Sequence, residues 1–346
     1  MIFGWDLGGA HIKLAVLDAH GKLDRVAQLP CELWKGLDRL ESALHELTCE
    51  AAHGAVHAIT MTGELADLFP DRASGVAAIV EAFLHVVPAP DALVFAGSRF
   101  VSARDAALHW HEVASANWRA TAELAAQWLP QALILDIGST TTDIVLVSDG
   151  KVQAQAEDDH GRLAREELLY TGVVRTPLMA VAPRVPFAGE WVSVIAEHFA
   201  TTADLYRITG ELAPAFDQAA TADGRGRSKL ESARRLARMI GLDLEQASAH
   251  AWDRLATWLS RAQLQRVRLA CDRHLSRGLL DAQAPIVGLG VGAFLAVRVA
   301  RELDRPYLDF AALAGVAAEH AEAVDVCGPA FAVASLQAMA SKAQPR

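Results

Sequence analysis

The sequence predicts a mixed α/β protein assembled from two copies of one domain plan. Three observations predict it. The chain opens with short strands broken by an Asp-x-Gly turn at Asp6-Leu7-Gly8-Gly9. The same opening returns at Asp136-Ile137-Gly138-Ser139, about 130 residues later by subtraction. A strand, glycine turn and helix then begin at Pro285 and carry Gly288, Gly290 and Gly292. A period this long is too large for a solenoid and suits two homologous domains facing each other. The 346 residues, 52% hydrophobic and 21% charged, are enough for two domains with their own cores.

Each element follows from local pattern. Ile2–Trp5, Ile12–Leu17 and Leu23–Leu29 are apolar runs separated by turn residues and read as three strands. Leu33, Leu37, Leu40, Leu44 and Leu47 recur at helical spacing. A strand at 56–61, a helix at 75–87, a strand at 92–96 and a helix at 119–129 complete a first domain expected at 1–130. The second domain, 131–346, restarts with strands at 132–135 and 143–147 and a third opening at Lys151. The Asp-to-turn-glycine spacing is 15 residues in the first opening (Asp6 to Gly21) and 14 in the second (Asp136 to Gly150). The second half is longer and is expected to carry a helical insertion at 157–283, with helices at 201–210, 229–240 and 251–277. The plan resumes at 285 with a strand, a glycine turn and a helix to about 303. Helices at 310–322 and 329–341 close it.

Composition removes several classes. A net charge of -10 argues against nucleic acid and against anionic membranes. No apolar run reaches the ~18 residues of a membrane span. Asp6 falls where a signal peptide would be apolar, so a cytoplasmic protein is expected. Cys31, Cys49, Cys271 and Cys327 form no C-x-x-C pair and are expected to be buried thiols. His109 and His111 flank Trp110 on an expected strand without a third ligand in view.

The two Asp-x-Gly turns carry the chemistry. Gly8, Gly9 and Gly138 let backbone N–H groups approach an anion with no side chain in the way. Ser139, Thr140, Thr141 and Thr142 add hydroxyl donors. Asp6 and Asp136, each ahead of its turn, are placed to hold a divalent ion directly or through water. Facing each other, the turns form a clamp for a phosphate chain and its Mg²⁺. Gly288, Gly290 and Gly292 supply a third glycine turn. Read instead as a dinucleotide fingerprint, that run places Leu295 where the third glycine belongs. Lys13 follows the first turn and reads either as a clamp residue or as a solvent-facing strand lysine. Glu64 and His11 are candidates to take a proton. Arg225 and Arg227, separated by glycine, suit a mobile loop that grips an anion. The helix after them places Leu230, Ala233, Leu236, Ala237 and Ile240 on one face, with Arg234, Arg235 and Arg238 mostly on the solvated other.

These segments resemble the two phosphate motifs and the glycine-rich motif of the superfamily containing actin, the heat-shock ATPases and the acetate and sugar kinases. The resemblance implies an α/β fold of two duplicated RNase H-like domains around a central cleft. Asp136-Ile-Gly-Ser-Thr-Thr-Thr-Asp143 is similar to the hydantoinase/oxoprolinase branch. Thr62–Asp67, Ser115–Trp118, Tyr170–Pro177, Thr201–Asp204 and Asp223–Ser228 narrow it further. Together they resemble the tetrahydromethanopterin-linked C1 transfer pathway proteins, a subgroup with an archaeal methanofuran-biosynthesis synthase among its members. The function this implies is a Mg²⁺-dependent transferase of methanofuran or methylofuran assembly. It would join an aminomethylfuran-methyl diphosphate to the phenol of a γ-glutamyl-tyramine or tyrosine-type acceptor and release diphosphate. Ala10 stands where kinases place a hydroxyl or amide donor, which disfavours handling an ATP γ-phosphate. Two other classes share the clamp: an ATP-dependent kinase or amide-ring hydrolase, with ATP as ligand, and a nucleotide-dependent conformational switch. The expected partners are small molecules, and a homo-oligomer is left open.

Overall fold

The computed structural model describes residues 1–48 and 54–343. The chain divides into two compact units. The first holds Met1–Ala132, Val145–Arg165 and the residues from Leu308 onward; the second holds Leu133–Ile144 and Glu166–Tyr307. The first piece of the first unit ends at Ala132. The segments 145–165 and 308 onward, read from sequence as parts of the second domain, instead belong with the first.

The strands are β1 (Ile2–Leu7), β2 (His11–Leu17), β3 (Leu23–Pro30), β4 (Val56–Met61), β5 (Leu93–Ala96), β6 (Arg99–Ser102), β7 (Gln131–Ile137), β8 (Thr142–Ser148), β9 (Lys151–Val152), β10 (Leu168–Leu169), β11 (Arg184–Phe187), β12 (Glu190–Ser193), β13 (Ile286–Leu289) and β14 (Tyr307–Asp309). The helices are α1 (Leu37–Thr48), α2 (Arg72–Val86), α3 (Trp110–Val113), α4 (Asn117–Ala126), α5 (Asp159–Ala164), α6 (Thr202–Thr209), α7 (Lys229–Arg238), α8 (Ala249–Leu275), α9 (Ala293–Glu302), α10 (Phe310–Leu313), α11 (Ala318–Val326) and α12 (Gly328–Ala343).

The first sheet runs β3-β2-β1-β4-β5-β6. β1 pairs antiparallel with β2 and parallel with β4. The second sheet runs β10-β8-β7-β13-β14, with β9 on β8 and β13 parallel to β7. β1–β2–β3 and β7–β8–β9 are thus the two meanders the duplication predicts. β1 is buried on both faces. Trp5 stands edge-on to Phe83 of α2, and its indole N–H donates to His57 Nδ1 at 3.1 Å. Burial holds the His57 imidazole down at about 4, so it stays neutral. On the opposite face, a Cβ at Gly4 would lie 2.1 Å from the Ala330 carbonyl oxygen of α12. Only glycine lets α12 pack this closely on the strand.

Helices α6, α7 and α8 lie inside the expected insertion. The β11–β12 hairpin there has no strong sequence signal; its turn uses positive φ at Ala188 (51°) and Gly189 (88°). The expected strand around His109 is helical: a 3-10 turn over Ala103–His109 leads into α3. Cys31, Cys271 and Cys327 are buried as expected, and burial pushes all three thiols up. Cys49 lies outside the described residues. No single helix among the described residues is long and apolar enough to cross a membrane.

Candidate active site

Both Asp-x-Gly turns close in the same way. The Gly8 amide donates to the His11 carbonyl at 3.1 Å, and the Gly138 amide donates to the Thr141 carbonyl at 2.9 Å. In each unit a second turn, following the parallel neighbour strand, bonds back to the residue after the aspartate. Thr62 N donates to Leu7 O at 3.2 Å, and Gly292 N donates to Ile137 O at 2.8 Å. The segment Thr62-Gly63-Glu64 is therefore the first unit's counterpart of Gly290-Val291-Gly292. Sequence inspection does not pair these two segments, because they share one glycine and little else.

In the first unit the strand ends bury acids. Asp6 is 3% exposed, and its Oδ2 lies 3.6 Å from Lys13 Nζ. Lys13 is thus placed on the aspartate of the first turn. Asp6 Oδ1 is buried without a hydrogen-bond partner, and so is the hydroxyl of Thr60, its register partner on β4. Burial raises the Asp6 carboxyl, and Lys13 draws it back only in part. Glu64 is 1% exposed. Its Oε1 accepts from the Ser115 hydroxyl at 2.7 Å, while Oε2 has no partner. Ser115 Oγ also lies 3.3 Å from Asp159 Oδ2, which accepts from Arg72 Nη2 at 2.7 Å. Burial raises the Glu64 carboxyl above its usual range, with the Ser115 hydrogen bond opposing. Gly75 of α2 makes room: a Cβ there would lie 2.7 Å from Glu64 O. Nearby, Arg162 is buried with its guanidinium 3.9 Å above the Trp118 ring. Thr60, Arg72, Asp159 and Arg162 were not legible as site residues. The available signal is that Glu64 and Ser115 belong to the distinctive segments Thr62–Asp67 and Ser115–Trp118. His11 is half-buried at the start of β2.

In the second unit the turn at 136–142 is wrapped by residues 171–176. Val173 N donates to Gly138 O at 3.1 Å, and Val174 N and Arg175 N donate to Ser139 O at 3.1 and 2.9 Å. A Cβ at Gly172 would lie 2.4 Å from Thr140 N. Gln263 of α8 holds the wrapping segment by donating to Gly172 O and Thr171 Oγ1, both at 2.9 Å. Gly290, at φ 84°, approaches so closely that a Cβ would lie 2.4 Å from Ile137 O and 2.7 Å from Asp136 Oδ1. The structure thus brings Asp136, Gly138, Ser139, Thr140, Thr141, Gly290 and Gly292 together. Two expected phosphate contacts are corrected. The Thr142 hydroxyl is buried and donates to Thr171 O at 2.7 Å, which takes its proton away from any ligand. Gly288 is a packing glycine inside β13, where a Cβ would lie 2.6 Å from the Tyr307 ring.

The basic cluster after residue 223 also differs from its sequence reading. Arg235 is fully buried, not on a solvated face. Its guanidinium donates to Asp204 Oδ1 at 2.8 and 2.9 Å and to Asp223 Oδ1 and Gly226 O at 3.0 and 3.1 Å. Arg207 pairs bidentately with Asp217 at 2.6 and 2.7 Å and reaches Asp204 at 3.0 Å. Leu230, expected on the apolar face, is 59% exposed. Arg225 and Arg227 are exposed, and Arg227 Nη2 donates to the Gln218 and Ala219 carbonyls at 3.1 and 3.0 Å. The loop is therefore pinned from below by buried ion pairs. His109 Nδ1 lies beside Glu112, and among the described residues no group of three or more His, Cys, Asp or Glu is arranged to hold a metal.

Two meanders opened by Asp-x-Gly turns, each with a parallel strand and a close turn beside it, define the actin-like ATPase fold. Solved structures agree. A nucleotide-free acetone carboxylase superposes with a TM-score of 0.60 at 10% identity, over 96% of this chain and 70% of that one. A ROK-family glucokinase from Streptomyces griseus, in complex with glucose and AMPPNP, gives 0.50 at 13% identity over 97% and 98%. Within that fold the chain belongs to the hydantoinase/oxoprolinase family, whose model matches residues 55–324. It is 29% identical over 97% of both chains to the (4-{4-[2-(γ-L-glutamylamino)ethyl]phenoxymethyl}furan-2-yl)methanamine synthase of Methanocaldococcus jannaschii. It is also 36% identical, over 34% of this chain and 52% of the relative, to the synthase of that name from Methanococcus vannielii.

Proposed function

We propose that the protein is a transferase of methanofuran-type cofactor assembly that forms an aryl furfuryl ether and releases diphosphate. The observation that carries this reading is the end-to-end similarity to the Methanocaldococcus synthase. The geometry is compatible with it. In the second unit the turn at Gly138–Thr141 carries the Ser139, Thr140 and Thr141 hydroxyls, donors suited to an anion. Ala10 leaves the first turn without the hydroxyl or amide donor that handling of an ATP γ-phosphate favours.

In the reaction the phenol oxygen bonds to the exocyclic methylene carbon of the furan as the carbon–oxygen bond to diphosphate breaks. The electron pair leaves with the diphosphate, and the phenol proton passes to Glu64 Oε2, a buried acceptor with no partner. The furan ring stabilises positive charge on the departing methylene, so catalysis rests on orienting the phenol and stabilising the leaving group. Asp6, with a buried and unpartnered Oδ1, fits a divalent cation within the first unit; Asp136 occupies the equivalent strand end of the second unit. A carboxylate completed by water suits Mg²⁺. Bound there, Mg²⁺ would offset diphosphate charge. Arg225 is an exposed cation suited to an anionic substrate.

The test is incubation with the furan diphosphate and γ-glutamyl-tyramine, with and without ATP. The expected result is the ether, by mass spectrometry, with one equivalent of diphosphate and no need for ATP. Strict ATP dependence with ADP formation would establish the kinase or hydrolase class instead. ATP turnover with neither substrate present would establish the switch.

A further inference from the structure

Resting on the reading of Glu64 as proton acceptor, we infer that Ser115 and Asp159 are positioning residues that commit Glu64 Oε1 and leave Oε2 as the working oxygen. All three side chains, with Arg72, lie in the first unit. The serine has one proton and two carboxylates within reach. The distances, 2.7 Å to Glu64 Oε1 and 3.3 Å to Asp159 Oδ2, assign that proton to Glu64. Asp159 is not left bare, because Arg72 donates to the same Oδ2 at 2.7 Å. Ser115 is held at φ 53°, a conformation that costs a non-glycine residue free energy and persists only where its surroundings impose it.

The arrangement serves both protonation states. With Glu64 ionised, Ser115 donates to it. Once Glu64 has taken a proton, a rotation of the carboxyl lets it donate to Ser115 Oγ, and the serine proton turns to Asp159 Oδ2. Both states are hydrogen-bonded, and the proton load moves toward the Arg72–Asp159 pair. The charged groups facing Glu64 are Asp159 from α5, which opposes its ionisation, and Arg72 from α2, which favours it.

The two neighbours therefore act with opposite sign. Removing the Ser115 hydroxyl withdraws a donor from the ionised form and raises the pH at which Glu64 ionises. Asp159→Asn removes a like charge and a strong acceptor for the serine proton, and lowers that pH. Each displacement is about one pH unit, the size of one lost hydrogen bond. The experiment is a kcat–pH profile of ether formation for the wild type, Ser115→Ala, Ser115→Gly and Asp159→Asn. Ser115→Gly relieves the positive φ, so it keeps the measurement available if the alanine variant folds poorly. The acid limb moves up in both serine variants and down in Asp159→Asn. Limbs that stay put, or move in the same direction with a reduced kcat, overturn the inference. The titration of Glu64 is also followed without substrate by carbon-13 NMR, assigned by difference against Glu64→Gln. There the same opposite displacements are expected, and their absence overturns the inference. A wild type that makes no ether at any pH defeats the proposed reaction, and the NMR titration still decides the positioning.

Discussion

At the scale of single residues, Asp6 concentrates the energetics of the site. Its carboxylate is buried, half paired with Lys13 and otherwise unsatisfied, which is costly for folding and useful for holding a cation. Asp6→Asn should lower ether formation by two or more orders of magnitude while the melting temperature at neutral pH stays equal or rises. Millimolar Mg²⁺ should raise the melting temperature of the wild type and leave that of the variant unchanged; an equal response in both would remove Asp6 from the metal site. Asp325 offers a separate test of buried charge. Burial, reinforced by Asp309 and Glu322, lifts its carboxyl to about 7, against the backbone hydrogen bond from Ala311. The folded state then holds a proton that the unfolded chain releases near pH 4. Stability is fully present below about 4 and is lost as pH rises toward 7. Asp325→Asn keeps an acceptor for the Ala311 amide. It should match the wild type at about pH 3 and melt a few degrees higher at pH 8, read by calorimetry. Residue types told part of this in advance. Asp6 and Glu64 stand out in sequence because each adjoins a glycine turn, whereas Asp159 and Arg72 do not, since only tertiary folding brings them to Ser115.

At the scale of elements, close backbone approaches do the work. Gly172 lies against the Ser139–Thr140 peptide, and backbone atoms cannot swing aside as a side chain end can. Gly172→Ala should destabilise the protein by ~1–3 kcal/mol in urea unfolding and reduce activity at least tenfold in the molecules that remain folded. An unchanged urea midpoint and activity would mean that the wrap is loose. Most helices and the two meanders were legible, because apolar spacing and turn glycines act locally. The α7 face was misread for a physical reason. Helical periodicity counts Arg235 as polar and points it to water, but Asp204 and Asp223 give the guanidinium a buried set of acceptors. The β11–β12 hairpin carries little sequence signal because Ala188 supplies positive φ where glycine or asparagine is the usual signal.

At the scale of the whole molecule, the duplication was readable and the closing of each unit was not. Helix α12 is rich in Ala and has no sharply apolar stripe, so its sequence does not say which sheet it covers. It covers the first, lying against β1 where Gly4 leaves no gap. Ending the chain at Cys327 should leave that sheet face bare, with native-like far-UV dichroism, lost near-UV signal and strong dye binding. A truncated chain that melts cooperatively like the full one would show α12 to be dispensable. The gentler change, Gly4→Ala, forces a Cβ toward the Ala330 carbonyl and should lower the urea midpoint by ~1–3 kcal/mol equivalent.

The packing of Ala330 on Gly4 also fixes an order of events at the ribosome. Gly4 emerges before Ala330, which follows 326 positions later. At a synthesis rate of ~5–20 residues per second, the nascent first sheet waits about 15 to 65 s for its cover. The intervening second unit is synthesised in full during that wait and is free to fold ahead of the first. During the same interval an apolar sheet face stays uncovered, so slower translation is expected to lower the yield of folded protein.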